Sequence, residues 1–456
     1  MSLEGRNVVV VGLGLTGFSL SRYLVRQGAS VRVVDTRPAP PFAPRLATLL
    51  PQVPLATGEF SDATFAGADL LAISPGVPVA SPGIAAAVAR GAEIVGDIEL
   101  FARALPPGQR VLAITGSNGK TTVTALTAAL CRAAGLSTIV AGNIGVAVLE
   151  ALPDDGRWPD LFVLELSSFQ LETTSSLAPV AATVLNVTEN HLDRYSGIDG
   201  YAAAKARIFA SGGVQVLNRD DPRSLAMRLP GRLVQTFGDS VPDAESAWGL
   251  VDRGAGEVWL ARGGALLLPV AELQLVGRHN AQNALAALAL TSVVAPVKRD
   301  VLAELAEFEG LPHRMQRIVE SRGVLFINDS KGTTVAATQA ALDGLTQPVV
   351  LIAGGDGKGQ NFAALKDSVE RHCKAVLLIG RDAPIIATAL AGTRAIVEQA
   401  GTLDAAVDRA VNLARPGDAV MLSPACASLD QFQSYVERGN RFVERVKGYA
   451  EESAHA

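Results

Sequence analysis

Residues 114–122 read ITGSNGKTT, between an apolar run, RVLAIT, and a run of helical periodicity, TTVTALTAALCRAA, that stops at Gly135. A strand that turns through glycines into a helix aims successive backbone N–H groups and the positive end of the helix dipole at one point, which makes a cradle for phosphate. Lys120 can reach the β- and γ-phosphates, and a threonine hydroxyl can ligate magnesium. Position 114 is Ile where the strict G-x-x-x-x-G-K-[ST] spelling has Gly. The strand, loop and helix that the motif requires are all present. An ATP site is therefore predicted over Gly116, Ser117, Asn118, Gly119, Lys120, Thr121 and Thr122.

A second glycine turn lies near the start of the chain. In VVVVGLGLTGFSLSRYLV, residues 8–25, an apolar run meets Gly12, Gly14 and Gly17 and then an amphipathic run, and Asp35 ends the next strand, SVRVVDT. The spacing fits G-x-G-x-x-G, which on its own suggests a dinucleotide and an oxidoreductase. The same exposed N–H groups serve any diphosphate, so the turn predicts a phosphate site and leaves its ligand open.

Both turns require an α/β architecture of parallel strands with crossover helices. The alternation recurs along all 456 residues, a length that at about 150 residues per domain allows two to four domains, and three are expected. The first, residues 1–98, alternates strands NVVVVG, SVRVVD, LLAISPG and AEIVGD with helices. The second, residues 99–310, follows ALPPGQ and contains LFVLELSS, AATVLNVT and GGVQVLN. It continues into WGLVDRGAGEVWLARGGALLLP, read as short antiparallel strands, and the helix HNAQNALAALALTSVV. The third, residues 311–456, restarts at GLPHRMQRI with VLFINDS, PVVLIAGG, AVLLIG and AVMLSPA, and its tail EESAHA is expected to fray.

A formal net charge of −5 without a Lys/Arg-rich run argues against nucleic acid as a partner, since phosphate-backbone binding needs a concentrated basic face. No stretch approaches 18 consecutive apolar residues and no signal-peptide pattern precedes the first strand, so a cytoplasmic protein without membrane insertion is expected. Cys131, Cys373 and Cys426, odd in number and far apart, form neither a disulfide framework nor a metal cluster.

The spelling T-G-S-N-G-K-T-T resembles the phosphate loop of the Mur ligase superfamily, which also includes folylpolyglutamate synthetase. GNIGVAV (142–148), LELSSFQLE (164–172), LNVTENHLDRY (185–195), YAAAKARIF (201–209), GRHNAQNALAAL (277–288), GLPHRMQ (310–316), NDSKGTT (328–334), GGDGKGQNF (354–362) and SPACASLDQF (423–432) extend the resemblance over all three domains. ELSSFQLE with SPACASLDQF points to the branch that adds glutamate to UDP-N-acetylmuramoyl-L-alanine. A folylpolyglutamate synthetase lacks the N-terminal unit, and an oxidoreductase leaves the second glycine loop unexplained. A non-catalytic nucleotide-binding scaffold is the remaining alternative.

The resemblance implies a Rossmann-like N-terminal domain for the UDP-sugar, a P-loop-type central ATPase domain and a Rossmann-like C-terminal domain for glutamate. It implies ATP, magnesium at two sites and a soluble monomer. The UDP-sugar would meet Leu15, Thr16, Asp35, Thr36, Arg37, Ser74, Gly76, Asn143 and Ser167, although Asn143 and Ser167 could instead cap turns. Lys120 would neutralise the transferring phosphate, with Asn143, His191 and Lys205 completing the catalytic set. Metal ligands would be Thr121, Glu165, His191 and Lys205, the last carbamylated. Asn283, Arg314 and Asp329 would hold the adenine and ribose. Lys331, Thr333, Lys358, Ser428, Leu429 and Tyr435 match glutamate-binding positions, Tyr435 standing where phenylalanine is common in the family. The motifs leave the glutamate enantiomer open; D-glutamate is the family default.

Overall fold

The structure, a computed structural model, describes residues 2–191, 194–254, 256–275 and 277–454. Three sheets account for the strand-rich segments. The first is parallel, in the order β3-β2-β1-β4-β5, from β1 (Asn7–Val11), β2 (Ser30–Asp35), β3 (Leu55–Thr57), β4 (Leu70–Ile73) and β5 (Glu93–Val95). Val8 to Val11 are wholly buried, as expected of a parallel strand covered on both faces. The chain order reverses between β1 and β4, so the turns that follow these two strands open into one crevice, the usual ligand site of such sheets.

The second sheet is built from β6 (Arg110–Thr115), β7 (Thr138–Gly142), β8 (Leu161–Glu165), β9 (Ala181–Val184), β10 (Val214–Asn218), β11 (Val234–Phe237) and β12 (Ala247–Asp252), with the short strands β13 (Val258–Arg262) and β14 (Ala265–Pro269) following. Its parallel part runs β12-β11-β10-β9-β6-β8-β7. The glycine loop after β6 therefore lies between the C-terminal ends of β8 and β9. One expectation changes here: β12 joins β11 in parallel, because residues 238–246 carry the chain back instead of reversing it in a tight turn.

In the third sheet, β15 (Gln316–Ser321) pairs antiparallel with β16 (Val324–Asn328). The others, β17 (Val349–Gly354), β18 (Cys373–Ile379), β19 (Ile396–Gly401) and β20 (Ala419–Leu422), are parallel, giving the order β15-β16-β20-β17-β18-β19. The loops NDSKGTT, SPACAS and GGDGKG follow the adjacent strands β16, β20 and β17 and leave the sheet at the same edge. The last helix runs Tyr435–Ala454, so the tail is helical through Ala454; His455 and Ala456 lie outside the described residues.

Contacts group the chain into two compact units, Met1–Leu250 with Ala261–Ala265 and Leu285–Leu302, and Val251–Leu260 with Leu266–Ala284 and Ala303–Ala456. The first unit holds the first sheet and the parallel part of the second around a common apolar core. That core includes Val8, Leu24, Phe101, Val111, Phe162 and Leu217, with Phe101 edge-on to Phe162 at 5.1 Å. The first glycine turn packs at the limit of close approach. A Cβ at Gly17 would run into the carbonyl oxygen of Gly12, whereas one at Gly14, where φ is −95°, would meet nothing within 4 Å. Gly17→Ala should therefore lower stability by about 1–3 kcal/mol, as overpacking does, while Gly14→Ala stays near neutral. Parallel denaturant titrations check this, and equal losses in the two variants would contradict it.

Candidate active site

The phosphate loop is held from below by a second loop. Ser117 N donates to Asn186 O at 2.9 Å and Asn118 N to Asn186 Oδ1 at 2.8 Å, while Asn186 Nδ2 returns to Asn118 O at 3.2 Å. Thr188 N donates to Ser117 Oγ at 2.9 Å. Gly119, at φ +80°, bends the chain into the helix Lys120–Ala133 in a conformation that favours glycine. Thr121 and Thr122 open that helix.

Two lysines converge on this loop. Lys120 Nζ donates to Gly116 O at 2.9 Å and Ser117 O at 3.0 Å; Lys205 Nζ, from the helix Ile198–Ala206, donates to the same Gly116 O at 2.9 Å. Lys205 is 1% exposed. Burial first, and the Lys120 charge second, bring its pKa down to about 6 against the opposing pull of Glu165. Lys205 Nζ also lies 4.4 Å over the ring of Tyr201, whose ring centroid is 6.1 Å from that of His191. Glu165 ends β8 and is 1% exposed; its Oε1 accepts from Asn143 Nδ2 at 2.7 Å, and its Oε2 has no hydrogen-bond partner. Lys120, Lys205, Glu165 and Asn143 thus form one cluster, with His191 at its margin. Among the described residues no three His, Cys, Asp or Glu side chains gather as a metal cage. The orphaned oxygen of Glu165, on the strand next to the one that leads into the phosphate loop, nevertheless fits a hard cation carried in with phosphate.

Beside this cluster, still within the first unit, lies a cavity of about 640 Å³ lined by Leu15, Thr16, Asp35, Thr36, Arg37, Ser74, Gly76 and Asn143, eight of the nine residues expected to meet the UDP-sugar. Asp35 accepts from Leu13 N at 2.7 Å and from Arg37 Nε at 2.9 Å and Nη2 at 2.6 Å. Burial pushes its carboxyl up, but these bonds outweigh burial and bring it to about 2. With its oxygens engaged in this way, Asp35 organises the turn and presents Arg37. The ninth residue, Ser167, caps the helix Ser168–Glu172 by accepting from Gln170 N at 3.2 Å. Asp97 and Gln170, bonded at 3.0 Å, also line the cavity and were not singled out from the sequence.

The second unit carries the other expected residues. Asn283 Nδ2 donates to Asn280 Oδ1 at 3.0 Å. Arg314 is half-buried, and Asp329 is buried, accepting from Ser423 Oγ at 2.7 Å and Met315 N at 3.2 Å. Burial pushes Asp329 up to about 7. The three loops leaving β16, β17 and β20 bring Lys331 and Thr333, Lys358, and Ser428 and Leu429 to one end of the third sheet. Lys331 Nζ lies 3.9 Å over the Tyr435 ring, Lys358 is exposed at φ +51°, Ser428 is buried and Leu429 is exposed. Asn186, Tyr201 and Arg194 are site residues that the motifs contained but the sequence did not mark, because their partners come from other segments.

Three family models match the chain: "Mur ligase MurD-like, N-terminal domain" over residues 6–96, "Mur ligase middle domain" over 114–291 and "Mur ligase, glutamate ligase domain" over 313–426. A Thiobacillus denitrificans protein named UDP-N-acetylmuramoylalanine--D-glutamate ligase is 52% identical, covering 100% of this chain and 98% of its own length. A Methylobacillus flagellatus protein of the same name is also 52% identical, covering 98% of each. Among solved structures, the MurF ligase of Thermotoga maritima in complex with ADP shares the fold at a TM-score of 0.60 and 17% identity, over 99% of this chain and 96% of that one. In the described residues no helix is long and apolar enough to cross a membrane.

The depressed pKa of Lys205 has a consequence for stability. The unfolded chain keeps the amine protonated up to its ordinary value of 10.5, whereas the folded chain releases the proton near 6, so folding expels a proton between these values and stability rises with pH across that window. In CO2-free buffer, Lys205→Met should raise the melting temperature at neutral pH, and the gain over the parent should shrink as pH climbs. A gain that grows with pH would contradict the sign.

Proposed function

Because the chain belongs to the Mur ligase family, we propose that it joins D-glutamate to UDP-N-acetylmuramoyl-L-alanine, converting ATP to ADP and phosphate in a step of peptidoglycan synthesis. The observation that carries this reading is Asn143. It lines the cavity expected to take the nucleotide-sugar and donates at 2.7 Å to Glu165 beside the phosphate loop, so the acceptor end of one site adjoins the phosphoryl end of the other.

The chemistry follows from the poor electrophilicity of a carboxylate. An oxygen of the alanyl carboxylate attacks the γ-phosphorus of ATP, the bond to the β,γ-bridging oxygen breaks, and ADP leaves. The glutamate amine then adds to the acyl phosphate carbon, loses a proton, and phosphate departs from the tetrahedral intermediate. Two anions must meet before the first step, so charge stabilisation dominates. Lys120 supplies a fixed positive charge, and the first turn of the helix Lys120–Ala133 supplies the positive end of its dipole. Thr121 and Glu165 would hold one magnesium, and His191 with a carbamylated Lys205 a second. Magnesium bound there would neutralise phosphate charge and polarise the phosphoryl oxygens.

The case for carbamylation rests on Lys205 being buried and depressed to about 6 beside Lys120. Carbon dioxide adds to the neutral amine with release of a proton, and the product replaces that amine by an anion with two acceptor oxygens next to the Lys120 charge. Asn283, Arg314 and Asp329 bind adenine and ribose, and the C-terminal loops with Lys331, Lys358 and Ser428 bind the two glutamate carboxylates, which need donors and positive charge. All assigned residues lie in one chain, so a monomer suffices, and a nucleotide substrate with ATP suits the cytoplasm.

Phosphate release should require UDP-N-acetylmuramoyl-L-alanine and D-glutamate together, and L-glutamate should not replace the D-enantiomer. Lys120→Ala should reduce turnover by about 10³-fold or more while the protein stays folded, the scale of a lost transition-state charge contact. Turnover near that of the parent would move the phosphate site elsewhere.

Lys205→Ala should lose most activity and regain part of it with acetate or formate, which can occupy the vacated space as an anion. Lys205→Arg should stay inactive, since it keeps the positive charge and cannot form a carbamate. A fully active Lys205→Arg variant would refute the carbamate.

A further inference from the structure

The backbone at His191 is left-handed. His191 has φ +54°, uncommon for a residue with a side chain and held here by its neighbours. The surroundings here are specific. Arg194 N and Tyr195 N both donate to His191 O, at 3.0 and 3.2 Å. Both side chains then end on one carboxylate: Arg194 Nε and Nη2 reach Glu172 Oε1 and Oε2 at 3.2 and 2.6 Å, and Tyr195 OH reaches Glu172 Oε1 at 2.6 Å.

Arg194 has donors left over, and they point to another part of the first unit. Nη1 donates to Pro75 O and Nη2 to Val77 O, each at 3.1 Å. Pro75 and Val77 line the nucleotide cavity, and the neighbouring Ser74 Oγ donates to Gly12 O at 2.8 Å, in the first glycine turn. The guanidinium also lies 4.3 Å over the Phe169 ring, and that ring meets the His191 imidazole at 4.7 Å. The Arg194 side chain is 10% exposed, so these bonds are made largely out of water. A planar fork that donates in three directions has no lysine equivalent.

We propose that Arg194, fixed by Glu172, is a positioning residue that holds His191 in its left-handed turn and makes the placement of His191 depend on the Pro75–Val77 segment of the nucleotide cavity. The inference rests on the functional reading above, which gives that cavity to UDP and His191 to the reaction centre. Its physical content is that one side chain bonds both the cavity wall and the anchor of the His191 turn, so occupancy of the cavity and the pose of the imidazole share an equilibrium.

The test uses UDP alone, which carries neither the sugar nor the alanyl group. In protein labelled at histidine with carbon-13, the His191 ring signal, identified by its loss in His191→Asn, should shift when UDP saturates the parent. In Arg194→Met, UDP should bind within about threefold of the parent while the shift disappears and kcat falls by about tenfold or more, with the KM for ATP little changed. Arg194→Lys should restore neither the shift nor kcat. Glu172→Gln, which leaves the guanidinium in place, should weaken both partially and serves as the second variant if Arg194→Met fails to fold. A shift that persists in Arg194→Met, or a parent that binds UDP and ligates yet shows no shift, overturns the inference alone. A parent that neither binds UDP nor ligates overturns the functional reading and the inference with it.

Discussion

Two lysine side chains share one carbonyl oxygen. Lys120 and Lys205 both donate to Gly116 O, and two ammonium groups at that separation in a partly dry pocket repel each other strongly. The molecule resolves the conflict by asymmetry. Lys120 is half-buried at the start of its helix, whereas Lys205 is sealed at 1% exposure and gives up its proton near pH 6. Lys205 thereby becomes a neutral amine able to take a different chemical form. Asn186, which staples the loop through both backbone and side chain, and Gly119, which alone tolerates the bend, keep the carbonyl where both can reach it.

The first glycine turn shows how the same backbone device is turned to another ligand. In a dinucleotide site the acid at the end of the second strand is open to a ribose hydroxyl. Here Asp35 is engaged by Arg37 and the Leu13 amide, and its depressed pKa, about 2, reports how fully those donors are committed to it. The acid becomes part of the scaffold and the guanidinium beside it becomes the group on offer. A cavity lined by an arginine and by several glycines suits a nucleoside diphosphate.

Much of this was legible in the sequence, and the reasons are local. The glycine spacing of both loops, the four valines of β1 and the apolar β8 ending in Glu165 declare themselves because each depends on residues adjacent in the chain. The strands β3, β15 and β19 did not, since LAT, QRIVES and IVEQAG carry exposed or polar positions and are strands only because a neighbour pairs with them. The Arg194–Glu172 anchor was equally hidden, because its partners lie 22 residues apart and its further acceptors more than a hundred residues away. Ser167 caps the helix Ser168–Glu172, one of the two readings its motif allowed.

The distance between Asn143 and Glu165 is set by strand register. β7 and β8 pair in parallel with Gly142 opposite Glu165, and Asn143 N donates to Glu165 O at 2.8 Å while its side chain binds the carboxylate. A Cβ at Gly142 would strike that same Glu165 carbonyl, so glycine is what lets the two strand ends close to this spacing. A slip of one residue in this pairing would turn the Glu165 side chain to the opposite face of the sheet and part it from Asn143. The wholly buried apolar run LFVL of β8 cannot tolerate such a slip without losing the core that includes Phe162 and Leu164. The core residues that make the second sheet stable therefore also fix where the carboxylate and the amide meet, and the site inherits its precision from packing that touches no ligand.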